Sequence, residues 1–385
     1  FLSAPDAGVL RYNAPVATRS VRLSSPERVL FPDEGITKQD LFEYYRAIAP
    51  VLVPHLRNRP FTMKRSPYGV GGEAYFQKQA PKGMPSWIPT RTFRTYPREG
   101  ESRLVDFPLV NSPEAVLWMV QMNCIDMNAW YSRVDKPDRP DFVLFDLDPP
   151  DGGFALAIRV AHLIREELER VELESYVKTS GADGIHVLVP IARRATYEQT
   201  YTFAERVARG LEERHPGLVT TEWLKRKREG VLVDHRQNAR GKTIASVYSV
   251  RPKPGAPVST PLRWDELTED VTPRRFGMRE ALERVEQLGD LFGCHRCRQV
   301  DSMIASEVAR YDGTVEWAVP APGGDRICRS DIAREKLLTS KENIVDETAK
   351  TVAKGPTDIE RVSYASDLHR IEKTCLLIDY DAVNK

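Results

Sequence analysis

The stretch Phe142-Val143-Leu144-Phe145-Asp146-Leu147-Asp148-Pro149-Pro150 decides how this chain is read. A short apolar run followed by acid, apolar, acid and a proline pair reads as a buried strand with carboxylates at its end. Side chains alternate faces along a strand, so Asp146 and Asp148 point the same way. Two like charges on one face repel unless a cation sits between them, and hard carboxylate oxygens favour Mg²⁺ or Mn²⁺ over zinc. Val231-Leu232-Val233 leads into Asp234 in the same manner. A third strand-end carboxylate would complete a site for two ions ~3.5–4 Å apart. Taken alone, Asp-x-Asp-Pro-Pro is equally compatible with a polar turn.

Between these acids, Ser175 to Lys178 and Ile185 to Val189 read as strands flanking Thr179-Ser180-Gly181-Ala182-Asp183-Gly184. The glycines let backbone approach a ligand closely, and successive N–H groups of such a turn can form an anion nest. Ser180 adds a hydroxyl, and His186 heads the next strand within reach of a phosphate. A plain hairpin with a core histidine is the alternative. The lysine and hydroxyl residue of a P-loop are absent. Amphipathic helices are expected over Phe154 to Val171 and Tyr197 to Arg214. Strands alternating with helices predict a mixed α/β (α+β) domain built on a central sheet.

Charge clusters where the acids do. The whole chain has 56 Lys and Arg against 55 Asp and Glu, a net charge of +1, so bulk charge gives no argument for nucleic acid. Glu222 to Lys253, however, holds nine basic residues against three acids, including the run Lys225-Arg226-Lys227-Arg228. Within it, Asp234 is followed by Arg236, Gln237, Asn238, Arg240, Lys242 and, further on, Arg251. This mixture of cations and amides beside a strand-end acid suits a metal, a base edge and a triphosphate together. Lys64-Arg65 and Tyr75-Phe76-Gln77-Lys78 interleave cations with aromatics, as stacking on bases and holding phosphates require. They fall in a Pro/Gly-rich stretch from Arg59 to Pro89 that reads as mostly loop with short extended pieces, a length that usually accompanies a function.

Thr37-Lys38-Gln39-Asp40 is a helix start with an acid at the capping-box position. Leu41, Tyr44, Tyr45, Ile48 and Leu52 follow at helical spacing, and Pro54 is expected to end the run. Pro113 to Asn128 reads as a further helix. Residues 1–17 form a Pro/Ala/Gly-rich arm, 18–292 a catalytic domain, and 293–385 an extension of different character. The longest apolar run, Ala115–Val120, is far short of the ~20 residues of a membrane helix. Five cysteines make no disulfide framework, which predicts a reducing, cytoplasmic setting. Cys294-His295-Arg296-Cys297 lacks a second close pair, so incidental reduced cysteines are a better reading than zinc.

The order of these segments, opened by Leu23-Ser24-Ser25-Pro26-Glu27-Arg28-Val29-Leu30-Phe31-Pro32, resembles the polymerase domain of bacterial ligase D and its stand-alone relatives in the archaeo-eukaryotic primase superfamily. The resemblance covers roughly residues 18–292. It implies a primase-type fold and a template-dependent polymerase of DNA repair that extends primers at short gaps and broken ends, often with ribonucleotides and Mn²⁺. It implies that Asp146, Asp148 and Asp234 bind two Mn²⁺ or Mg²⁺ ions. Lys64, Ser180, Gly181, His186, Gln237, Lys242 and Arg251 would line an NTP or dNTP. Arg28 and Lys38 would hold a downstream 5′-phosphate, and Arg65, Tyr75, Phe76 and Lys78 would meet the DNA. A separate DNA ligase or an end-binding protein would be its partners. Arg28 stands where relatives carry lysine, Ser25 where some carry an amide, and Asn128 where histidine is usual. No nucleotidyl-lysine motif of a ligase is visible, which favours a stand-alone polymerase. The carboxylates alone leave two alternatives open: a two-metal nuclease or phosphohydrolase, and a non-catalytic DNA end-binding module.

Overall fold

The computed structural model describes residues 20–95 and 101–292. The N-terminal arm, the extension 293–385 and the Cys294–Cys297 cluster lie outside the described residues. The chain divides into one unit of Phe1–Phe93 with Val105–Tyr311 and another of Arg94–Leu104 with Asp312–Lys385. All the candidate site residues belong to the first.

The elements in chain order are β1 (Val29–Phe31), β2 (Ile36–Thr37), α1 (Lys38–Leu56), β3 (Phe61–Arg65), β4 (Tyr75–Gln77), β5 (Thr90–Thr95), β6 (Arg103–Pro108), α2 (Pro113–Gln121), β7 (Cys124–Trp130) and β8 (Phe142–Asp148). There follow α3 (Phe154–Arg170), β9 (Tyr176–Thr179), β10 (Ile185–Pro190), α4 (Tyr197–Arg214), β11 (Val219–Thr220), β12 (Val231–Asp234), β13 (Thr243–Ala245), β14 (Pro261–Leu262) and α5 (Met278–Leu288). Two larger sheets carry the fold. One has six strands in the order β11-β12-β8-β10-β9-β14, and the other has four in the order β13-β7-β3-β4.

The six-stranded sheet has two chemically different faces. Val143, Phe145 and Leu147 of β8, Ile185, Val187 and Val189 of β10, and Val231 and Val233 of β12 share one buried cluster with Ala157, Ile164 and Leu168 of α3 and Phe203 and Leu211 of α4. Because strand side chains alternate, the intervening Asp146, Asp148, His186 and Asp234 emerge on the opposite face, away from those helices. Burying the first set therefore forces the second into one row. A slip of one residue would exchange the two sets, so the register is strongly specified.

β8 runs through Asp148, so both carboxylates stand on the strand itself, as their alternation requires. Two expectations need correcting. Pro54 does not end α1, which continues to Leu56 with Pro50 and Pro54 inside it. Both prolines face solvent, where water can satisfy the carbonyls they orphan, while Leu52, Val53 and Leu56 stay buried against the core. That burial outweighs the ~3 kcal/mol an interior proline costs. The expected helix from Pro113 to Asn128 is two elements. α2 stops at Gln121, Asn123 takes φ 63°, and β7 begins at Cys124 with all seven residues buried. Asparagine tolerates this left-handed conformation, so it can end a helix much as glycine does. Ile125-Asp126-Met127-Asn128-Ala129 does alternate apolar and polar as a strand does, but it follows α2 with no glycine or proline between them, which hides it inside an apparently helical run.

Other elements form as expected. Thr37 Oγ1 accepts from the Asp40 N–H at 3.2 Å, and Asp40 Oδ2 accepts from the Thr37 N–H at 2.8 Å, closing the capping box of α1. The long stretch from Arg59 contains β3 and β4 as its short extended pieces. No helix among the described residues is long and apolar enough to cross a membrane.

Candidate active site

In the β12–β8 pair, Asp234 lies directly opposite Asp146, and on the other side of β8 the β10 register places His186 opposite Asp146 as well. One further strand over, Lys178 of β9 is opposite His186. A continuous row therefore crosses four strands on one face: Asp234, Asp146, His186, Lys178. Asp148 lies two residues along β8 from Asp146 on that same face.

The row is bonded along much of its length. His186 Nε2 is 3.2 Å from Asp146 Oδ1, and Lys178 Nζ is 2.6 Å from His186 Nδ1. Asp234 Oδ1 accepts from the Arg236 N–H and its Oδ2 from Gln237 Nε2, each at 3.0 Å. Gln237, expected against a nucleotide, thus spends its amide N–H on holding an acid of the site.

The carboxylates are crowded. Burial raises Asp146 to about 6. Burial, with the charges of Asp146 and Asp234, raises Asp148 to about 7. Asp234 is raised by burial and by Asp146, against the hydrogen bonds from Gln237 and Arg236. The positive charges of Lys178, Arg251 and Arg228 oppose the rise at Asp146. Three half-desolvated oxygen donors on one face, repelling one another, are the chemistry that a hard divalent cation relieves, so the residues fit Mg²⁺ or Mn²⁺. Among the described residues no three His, Cys, Asp or Glu side chains are placed close enough together to hold a metal ion as they stand. The carboxylates stand as neighbours across the sheet.

The loop between β9 and β10 is closed more tightly than its sequence implies. Ser180 Oγ accepts from the Ala182 and Gly184 N–H groups at 3.0 and 3.1 Å, so those two donors are already used and do not line an open nest. The Ser180 carbonyl accepts from Arg251 Nη1 at 2.7 Å. Gly181 has φ 70°, and a Cβ there would meet Arg251 Cγ at 2.7 Å and Ser259 N at 2.8 Å. The glycine is needed for the conformation and for the close passage of Arg251.

The second sheet adds a different surface. Lys64 pairs with Phe76 and Arg65 with Tyr75 across β3 and β4. The lysine ammonium lies 5.5 Å from the Phe76 ring centre, and the Arg65 guanidinium 5.5 Å from that of Tyr75. Adjacent strand residues alternate faces, so the two pairs point opposite ways. Lys64 and Phe76 share their face with Asp126 of β7, whose Oδ2 is 4.0 Å from Lys64 Nζ and 3.7 Å from Arg251 Nε. Arg65 and Tyr75 turn to the other side, where Arg65 Nε donates to the Met122 carbonyl. Lys78 is exposed just past β4, and Lys242 is half-buried beside the turn closed by its N–H to the Ala239 carbonyl.

Arg28 and Lys38 meet elsewhere, at the N-terminus of α1. Lys38 is buried, and its Nζ donates to Gln121 O at 2.8 Å, Gln121 Oε1 at 3.2 Å and Ser24 O at 3.2 Å. Burial, and the nearby Arg28 charge, lower Lys38 to about 8. Arg28 is exposed and donates to the Pro67 carbonyl at 3.0 Å. A cation pair at the start of a 19-residue helix is a favourable place for an anion.

Sequence reasoning missed Lys178, Asp126 and Gln121 as members of these clusters. Lys178 immediately precedes the Thr179-Ser180-Gly181 motif and so was visible by position. Asp126 was hidden by the helical reading of β7, and Gln121 shows no local signal.

A family model described as "LigD, primase-polymerase domain" matches residues 37–292. The chain is 35% identical over 295 residues to the "Multifunctional non-homologous end joining protein LigD" of Mycolicibacterium smegmatis, covering 76% of this chain and 38% of that one. It is 30% identical over 286 residues to the "Bifunctional non-homologous end joining protein LigD" of Bacillus subtilis, covering 74% and 45%. A solved structure, "Polymerase Domain from Mycobacterium tuberculosis Ligase D in complex with DNA", superposes with a TM-score of 0.65 at 32% identity, covering 71% of this chain and 96% of that one. The fold is that of a ligase D polymerase domain, a primase-polymerase fold. The chain belongs to the LigD primase-polymerase domain family, and it spans under half the length of the two curated relatives named above.

Proposed function

We propose that this chain is a DNA-repair polymerase of non-homologous end joining, extending a primer on a template by nucleotidyl transfer from NTPs or dNTPs at short gaps or broken ends. One observation carries the reading beyond family membership: Asp146, Asp148 and Asp234 converge on one sheet face that also presents His186 and adjoins the Ser180–Arg251 contact. In this reading the three aspartates hold two Mn²⁺ or Mg²⁺ ions. When bound, such ions supply Lewis-acid activation of a 3′-hydroxyl and neutralise charge on the leaving pyrophosphate.

The chain's own residues then position the reactants. Arg251, Lys64 and Lys242 surround the triphosphate with donors, His186 backs Asp146, and Ser180 and Gly181 shape the loop that sets Arg251. Gln237 steadies Asp234. Phe76 offers a half-exposed ring for stacking on a base, with Lys64 over its face and Lys78 beyond it. Holding nucleotide and primer in line converts a bimolecular step to an effectively unimolecular one, which supplies much of the rate. Arg28, exposed, is the candidate for contact with a downstream 5′-phosphate, and Lys38, whose three N–H groups are held by Gln121 and Ser24, contributes its charge from behind.

The test is extension of a labelled primer across a short gap, with and without a 5′-phosphate on the downstream strand, comparing ribonucleotides with deoxynucleotides in Mn²⁺ and in Mg²⁺. Extension stimulated by the phosphate supports the whole reading. Extension indifferent to it removes the phosphate role of Arg28 and Lys38 and keeps the chemistry. Shortening of the label points to a nuclease, and no change points to an end-binding module.

A further inference from the structure

The buried Lys178 has no part in the roles assigned so far, yet it stands in the catalytic row. Its side chain is 1% exposed, and its Nζ meets three acceptors: His186 Nδ1 at 2.6 Å, Ser259 Oγ at 2.5 Å and the Ala245 carbonyl at 3.1 Å. The directions of these bonds are constrained. Ser259 Oγ spends its one hydrogen on the Thr179 carbonyl at 2.9 Å and so turns a lone pair to the lysine. A carbonyl only accepts. With Lys178 as an ammonium, its three N–H donors face three lone pairs, one of them on His186 Nδ1.

We propose that Lys178 is the positioning residue that fixes His186 as its Nε2–H tautomer and aims that proton at Asp146 Oδ1. An imidazole that accepts at Nδ1 carries its proton at Nε2. The histidine then donates to one oxygen of Asp146 and leaves the carboxylate's other oxygen for the ligand of the site. The opposite arrangement, a protonated Nδ1 donating to a neutral amine, would set a bare Nε2 lone pair against Asp146 Oδ1 at 3.2 Å. The register supports the same assignment, since Lys178, His186 and Asp146 are directly opposite one another across β9, β10 and β8. Thus a lysine two strands away from the acid sets its orientation without touching it. The role at Asp146 rests on the polymerase reading above; the tautomer does not.

The experiment is long-range ¹H–¹⁵N correlation on the full chain with ¹⁵N-labelled histidine, His186 being picked out of the seven histidines by its loss in His186→Ala. The expected spectrum shows a protonated Nε2 and a bare Nδ1 at His186. In Lys178→Met, a near-isosteric change beside a small cavity of about 90 Å³ that Lys178 helps to line, the ring is expected to lose this single tautomer. An Nδ1–H tautomer in the unmodified protein overturns the proposal, as does an unchanged one in Lys178→Met. Should Lys178→Met fail to fold, the spectrum of the unmodified chain still decides. Nucleotide incorporation supplies an independent check. If Lys178 acts through His186, Lys178→Met added to His186→Ala costs less than twofold more, whereas a merely structural lysine costs the same factor in both backgrounds. A His186→Ala chain with full incorporation instead counts against the polymerase reading, and the tautomer remains the judge of Lys178.

Discussion

Asp234 faces Asp146 directly across the antiparallel β12–β8 pair, two acids at a position where like charges destabilise a sheet. With Asp148 beside them, the fold concentrates negative charge on one face of the six-stranded sheet. In the metal-free protein this costs stability, and the sign is definite. Carboxylates raised to about 6 and about 7 bind more protons folded than unfolded, so stability falls as pH rises from about 4 to about 7. Asp148→Asn is therefore expected to stabilise the metal-free protein by about 1–2 kcal/mol at pH 8, seen as a rise of a few degrees in melting temperature, and to do nothing at pH 4. Thermal melts at the two pH values check it. Mn²⁺ should raise the melting temperature of the unmodified chain more at pH 8 than at pH 4.

Asp146→Ala and Asp234→Ala should each lower incorporation by at least about a thousandfold while leaving the circular dichroism spectrum intact. Primer extension in Mn²⁺ measures this, and retained incorporation in both variants would remove the carboxylates from the chemistry.

Asp126 is expected to act at a distance from the reacting atoms. It is buried, one of its oxygens has no hydrogen-bond partner, and the other is the shared counter-charge of Lys64 and Arg251. Asp126→Asn keeps the shape and deletes the charge, freeing both cations to shift. A rise of about tenfold in the KM for nucleotide with a smaller change in kcat is the expected steady-state result.

The two aromatics of β4 should separate cleanly. Phe76 shares a face with Lys64 and Asp126, whereas Tyr75 is turned away with Arg65. Loss of one stacked base contact is worth about 1–3 kcal/mol. Phe76→Ala should thus weaken templated extension or DNA binding by about 5- to 150-fold, with Tyr75→Ala changing it less than threefold.

Stimulation by a downstream 5′-phosphate should decline as pH rises. Lys38 is lowered to about 8, so its charge is present below that value and lost above it. Extension at pH 7 and pH 9, each expressed as the ratio with and without the phosphate, tests this; equal ratios exclude a charged Lys38 from phosphate recognition. The same lowered value means the folded protein binds fewer protons between about 8 and the usual lysine range, so this group makes stability rise with pH there.

Gly184 is a purely steric prediction. A Cβ at this position would lie 2.2 Å from the Leu147 carbonyl oxygen. Backbone cannot yield as a flexible side chain does, so Gly184→Ala should destabilise by about 2–4 kcal/mol in a denaturant titration and spread β10 from β8.

Much was legible in the sequence because it is local. The shared face of Asp146 and Asp148 follows from the two-residue period of any strand, the capping box of α1 from a four-residue pattern, and the need for glycine after Ser180 from the turn it must make. Family kinship was legible for the related reason that these local patterns recur in one order. What the sequence could not carry is register between distant strands. That Asp234 meets Asp146, that Asp126 stands between Lys64 and Arg251, and that Lys38 is already held by Gln121 all depend on pairings between residues tens to more than a hundred positions apart. Even the boundary between α2 and β7 was decided that way, since the alternation from Ile125 to Ala129 follows the helix with no glycine or proline to mark the break. Those pairings are selected by which apolar faces bury together, a property of the assembled sheets and helices that no single segment contains.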